Sequence, residues 1–442
     1  MQSNRNRWSL AGVTAAVVTM AALSKTFVPF YLIGSTAIFA LAGASGILLV
    51  AANWRVFYRD ASRVADVLIM LGLLYGVVVI SYLSRSFPAV PATYLLGILI
   101  LHALFLIFGF AAARALTAVF TIFLGAAAIY SIVIARYAIR FGDLMRDGYL
   151  HDVFGVGDMT VAITLHQNIG TVLGLAALAA LGLATNRIGQ ILAIGAMPLV
   201  LLFMFHIAAR GAMVALVCSL LFLAVAGFWI RSKKLALLGF IAVIMAATLA
   251  SGLFYQRALQ DKNVNATAPD AITRTIREIQ DPKPGFRMQI WARTWHRIST
   301  EPDLLLFGRG IGMYPVIEGF GAPDWLLHPT EGSKEYPHDV HLEILYETGI
   351  VGLLLFSALT VFPLIVSLRQ WTRFLPAEKS ALAIYVFMLV SSDISGAFAY
   401  TYMLQFFLAL SVGIIAIKRT AEADTQDNME AHSYLATRSA VR

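Results

Sequence analysis

Between Pro337 and Gly352 the chain reads PHDVHLEILYETGIVG: two histidines, an aspartate and two glutamates directly ahead of an apolar run. Ionisable groups at a membrane's edge are costly, and are kept there for a path, a pairing or a reaction. The pattern has Pro337 opening a helix, His338 at its very beginning, His341 one turn on and Glu347 near the interface. A neutral imidazole placed where chain leaves water for membrane can accept a proton near neutral pH. Two other uses of His338 stay open. One is a plain helix cap. The other is a metal ligand shared with His341, although a bare HxxH spacing is a weak zinc pattern.

Cations complete the set. Arg210, in FHIAARGAM, sits in a tight turn between two apolar runs, as an anchoring charge or an anion ligand. GFRMQIWARTWHRIST, 285–300, has the period of an amphipathic helix. Trp291, Trp295 and Ile298 share one face, while Gln289, Arg293, His296 and Arg297 lie away from it. Arg287 falls on the apolar face, where a charge in the first turn wants an anion. Arg136 and Arg140 are four apart and share a helix face, which also suits snorkelling. His166, Gln167 and Asn168 open another apolar run, as polar contacts or as a cap. Asp393, in VSSDISGAFAY, lies in the outer third of its run, where a carboxylate pairs with a cation or orients a histidine.

Arginines with a histidine suit an anionic, lipid-linked substrate. Guanidinium forks grip phosphate oxygens and stay charged. A diphosphate leaving group needs charge neutralisation rather than a proton, so arginines can stand in for a metal. An attacking sugar hydroxyl does need to lose its proton, and a histidine can take it. That chemistry is an inverting glycosyl transfer with neither metal nor cofactor.

The elements that must hold these groups are membrane helices. The chain has 442 residues, 59% hydrophobic and 13% charged. A soluble domain carries roughly 25% charged residues. The expected fold is all-α and polytopic, with about twelve spans near 9–24, 28–52, 66–82, 92–112, 115–135, 162–184, 188–208, 212–230, 235–254, 345–368, 380–398 and 401–417. The first run lacks a cleavage site and is read as a span. With the N-terminus inside, 17 of the 33 Lys and Arg fall in cytoplasmic segments, 6 in short outer segments and 10 in one long outer segment. Four parts follow: a first bundle of about nine spans over 1–254, a helical periplasmic loop over 255–344, three last spans over 345–419, and a disordered cytoplasmic tail over 420–442. Net charge is +8, which suits anchoring against anionic lipid. No basic, aromatic-interleaved domain speaks for nucleic acid. The single cysteine, Cys218, can form no intrachain disulfide. GRGIG, 308–312, lacks a preceding strand and a P-loop lysine, and is read as a flexible turn.

ARGAMVALVCSLL, FRMQIWARTW, LFGRGIGMY and PHDVHLEILYETGIVGLLLF, in that order, resemble the O-antigen ligase and polymerase superfamily of integral membrane glycosyltransferases. LHQNIG resembles its polar, Asn-containing start of a span. The resemblance covers roughly 160–360. It implies a GT-C-like fold, a bacterial inner membrane and no metal, and with the charge bias this puts both termini in the cytoplasm and the site on the periplasmic face. His338 matches the family's essential histidine, and Arg210 and Arg287 match its diphosphate-contacting arginines. Where the family often has His-Asn, this chain has His338-Asp339. The implied donor is undecaprenyl-diphosphate-linked O-antigen. For a ligase the acceptor is lipid A–core oligosaccharide, and the product lipopolysaccharide. A polymerase, a protein O-oligosaccharide ligase and a transporter or flippase for a lipid-linked anion are the alternatives. Charged groups gathered at one face, rather than spread through the depth, favour surface chemistry.

Overall fold

The structure is a computed structural model and describes residues 53–141, 159–206, 209–231, 286–318 and 337–440, with single residues of 44–51. The expected spans at 9–24 and 235–254, and nearly all of 28–52, lie outside the described residues. Every regular element among the described residues is helical. In chain order they are α1 (Trp54–Ser62), α2 (Ala65–Ser81) continued by a π turn (Tyr82–Ser86), α3 (Ala92–Ala112), α4 (Leu116–Phe141), α5 (Met159–Leu183), α6 (Arg187–His206) and α7 (Arg210–Arg231). Then come α8 (Phe286–Thr300), α9 (Pro302–Phe307), α10 (Met313–Glu318), α11 (Val340–Arg369), α12 (Pro376–Ser395) and α13 (Tyr402–Ala440). Five stretches are long and apolar enough to cross a membrane: Ala65–Ser86, Ala92–Ala112, Arg187–Met204, Val340–Arg369 and Tyr402–Gln426. Helices α4, α5 and α7, of 26, 25 and 22 residues, coincide with other expected spans, and Leu116–Gly125, Ile169–Leu183 and Gly211–Gly227 are apolar stretches within them.

Small residues let the helices close on one another, as they do where lipid supplies no hydrophobic drive. A side chain on Gly109 of α3 would overlap the Phe406 carbonyl of α13, and one on Gly413 would come within 2.8 Å of Ala113 Cβ. Gly170 and Gly174 of α5 do the same against Ala209 and against Phe387 and Met204. Phe105, Phe108, Phe120, Phe123, Phe356 and Phe387 fill the core between these contacts.

The two ends of the bundle differ. One is a charged seam. Buried Asp60 accepts Arg114 Nε at 2.8 Å and Thr420 Oγ1 at 3.3 Å, and Arg419 donates to the Arg63 carbonyl. This seam carries part of the region expected to be disordered. Helix α13 instead continues to Ala440, with Arg373 pairing with Glu422 and Arg59 with Asp424. TAEADTQDNMEA lacks an apolar stripe, but alanine, glutamate and methionine are strong helix formers, and these ion pairs hold its first turns. The other end bears α8, α9 and α10. They form a second, smaller core of Ile290, Ile298, Leu304 and Tyr314 with Leu345 and Tyr346 of α11.

Candidate functional site

Helix α11 does not begin where the sequence suggested. Its first residue is Val340, and Asp339 is the N-cap, its side chain accepting the Leu342 amide at 2.9 Å. His338 therefore precedes the helix, with φ 57, in the left-handed region that a histidine rarely occupies. Such a conformation persists only where neighbours hold it. Trp291 Nε1 of α8 donates to the Pro337 carbonyl at 2.6 Å, Pro337 and Val340 are buried, and the cap fixes Asp339. Three constraints thus bracket His338.

One turn into α11, His341 Nδ1 lies 2.7 Å from Asp393 Oδ1 of α12. Its ring packs edge-on against Phe356, centroids 4.9 Å apart. Asp339, His341 and Asp393 each offer a ligand atom, all within 4.8 Å of one another, and are the residues placed to hold a cation if one binds. Burial raises the Asp339 carboxyl above its ordinary value. Below this group the acids turn inward. Glu343 Oε2 accepts the Phe398 amide at 2.9 Å and Glu347 Oε1 accepts the Tyr314 amide at 3.2 Å, both carboxyls fully buried.

Helix α11 then breaks. Gly349 has φ 72 and ψ −169, far from helical values, so the carbonyls before it lose their partners along the helix. The turn at 308–310 supplies new ones: Arg309 N donates to Tyr346 O at 2.8 Å and Gly310 N to Glu347 O at 2.9 Å. Gly308, Gly310 and Gly312 all have positive φ, and side chains there would strike Glu347, Ser86 and Tyr94. GRGIG is therefore a packed clasp rather than a flexible turn. Arg85 ties it to α2, donating to Gly308 O at 2.9 Å.

Helix α8 spans the expected residues but buries a different face. Ile290, Thr294 and Ile298 point inward, while Trp295 is 57% exposed. Thr294 is tolerated because its hydroxyl donates to Ile290 O at 2.8 Å and meets Tyr314 OH at 2.7 Å. Burial pushes the Tyr314 hydroxyl up to about 12. Arg293 and Arg297 both reach Glu318, at 3.6 and 3.1 Å, and Tyr346 OH donates to the same carboxylate. Arg293, on the polar face by sequence and a secondary site candidate, is thereby engaged in tethering α8 to α10.

The backbones of Arg136, Arg140, His166, Asn168, Arg210 and Arg287 lie in helices, and their side chains are outside what the structure describes. Backbone placement still says which helix ends meet. Arg210 begins α7, and a side chain on the next residue, Gly211, would lie 3.3 Å from Ile394 Cγ2, beside Asp393. Gly170 packs on Ala209, so the α5 turn carrying His166 and Asn168 arrives at the same end. Arg287 is four residues ahead of Trp291, the residue that holds Pro337. What the residue pattern missed is Asp339 as a cap, Trp291 as a donor and Glu318 as a tether. Only the cap had a local signal, an aspartate directly ahead of an apolar run.

Imidazoles and carboxylates gather at one end of a bundle that has five helices long and apolar enough to cross a membrane, the features of a membrane protein. Residues 195–357, which include α7, α8, the 308–312 clasp and the site half of α11, match the family model described as O-antigen ligase. No curated protein matches the chain.

Proposed function

We propose that the chain is an O-antigen ligase, transferring glycan from undecaprenyl diphosphate to lipid A–core oligosaccharide at the periplasmic face of a bacterial inner membrane. Support comes foremost from one juxtaposition. The segment holding His338, Asp339 and His341 meets the α12 end bearing Asp393, beside the start of α7 at Arg210, and all of these but α12 fall within residues 195–357, which match the O-antigen ligase family model. On this reading His338 takes the proton from the acceptor hydroxyl. Arg210 and Arg287 neutralise the departing diphosphate, and the His341–Asp393 pair orders the acceptor side. Inversion follows from direct attack opposite the leaving group. The proposal extends to a GT-C-like architecture of about twelve spans with both termini cytoplasmic.

Glycan polymerisation is the rival within the same family, and lipopolysaccharide banding from cells lacking this chain separates the two. Full-length polymer retained on the carrier with bare core fits the ligase. Core bearing a single repeat unit would replace it with the polymerase.

A further inference from the structure

Helix α9, PDLLLF, buries Leu304 but leaves Leu306 49% and Phe307 58% exposed. Three consecutive apolar side chains, Leu305 to Phe307, are an unusual thing to show water. Their height along the bundle is fixed by contact. A side chain on Gly349 would overlap the Leu306 carbonyl, and Arg85 stands 5.5 Å over the Phe307 ring while donating to Gly308 O. Gly349 is 20 residues from Arg369 at the far end of α11. At about 1.5 Å per residue that separation is about 30 Å, the thickness of a bilayer's hydrocarbon core. Asp66 and Arg85 bracket α2 and its π turn at nearly the same separation. A hydrocarbon layer with its far edge at Arg369 would have its near edge at Leu306 and Phe307. The elements that contact α9 carry exposed apolar side chains too, Leu83 and Phe87 around the π turn after α2 and Val351 and Leu354 on α11.

We propose that α9 is seated in the bilayer interface on the site side, with Leu305, Leu306 and Phe307 packed against phospholipid acyl chains. Phe307 offers a wholly apolar ring to the acyl chains, and the Arg85 guanidinium lies 5.5 Å from its centroid. The consequence is positional. A helix held at the lipid boundary holds the 308–310 amides that bridge the break in α11, and so sets the height of His338 above the membrane.

The test uses full-length protein in phosphatidylcholine vesicles, with Cys218→Ser and a single Phe307→Cys or Leu306→Cys carrying an environment-sensitive dye. Ser299→Cys, on the exposed side of α8, is the comparison. Both α9 positions should be quenched at least twofold more than position 299 by nitroxide on the lipid acyl chain, and shielded from aqueous iodide. Iodide quenching equal at positions 306, 307 and 299, without nitroxide quenching, would overturn the proposal. So would shielding from both quenchers that tracks the number of protein copies per vesicle, because a second copy would then cover α9.

Discussion

His341 Nδ1 and Asp393 Oδ1 lie 2.7 Å apart, joining the first turn of α11 to the last turn of α12. The contact crosses 52 residues of chain and makes His341, one turn beyond His338, a partner in the candidate site. His341→Ala and Asp393→Ala should each lower glycan transfer by about 10²-fold, the usual yield of a positioned imidazole or its orienting acid. If the two act as a pair, the double variant should be little worse than either single one. Losses that multiply in the double variant would mean separate roles.

Gly349 faces the backbone of Leu306 and Phe307, Gly308 faces that of Glu347 and Thr348, and both have positive φ. Alanine at Gly349 carries a backbone penalty of about 1–3 kcal/mol before any overlap with Leu306 is relieved. Gly349→Ala and Gly308→Ala should lower the unfolding midpoint in detergent. They should also expose the 286–318 segment to protease sooner than the rest of the chain. Wild-type midpoints for both would show that the clasp contributes little.

Asp339 is a cap first. Asparagine caps a helix about as well as aspartate, whereas alanine costs about 1 kcal/mol. Asp339→Asn should keep stability and most of the activity, and Asp339→Ala should lose both in part. If Asn harms transfer as much as Ala while stability holds, the charge beside His341 and Asp393 matters more than the cap.

The spans were legible because a run of apolar residues long enough for a bilayer is a local property, and each described span helix falls on such a run. Contacts between distant segments were not. Nothing in VSSDISGAFAY names His341 as the partner of Asp393, and only the packing of α11 on α12 brings them together. The phase of α8 was misjudged because hydrophobicity ranked Trp291 and Trp295 above Thr294. The seam needed a small side chain that could satisfy its hydroxyl with Ile290 O and Tyr314. TGIVG gave little warning of a break inside an apolar run, since glycine is common in membrane helices. The carbonyl partners that make the break tolerable sit nearly forty residues earlier, at Arg309 and Gly310.

If Arg210 and Arg287 neutralise the diphosphate as proposed, an added divalent ion is unnecessary. Transfer by purified protein should run at an unchanged rate after chelation with EDTA. Activity lost to EDTA and restored by Mg²⁺ or Mn²⁺ would recast Asp339, His341 and Asp393 as metal ligands, since their ligand atoms lie within 4.8 Å of one another.

The central claim is that His338, held in a left-handed conformation ahead of α11, is the base for transfer between two lipids. It is tested most directly with purified protein, a lipid-diphosphate-linked glycan and lipid A–core in detergent, following the joined product over time. Wild-type protein should form it, and His338→Ala, expressed and inserted equally, should form about 10²-fold less or none. Near-normal product from His338→Ala would contradict the assignment, and absence of product from wild-type protein with both lipids present would contradict the ligase itself.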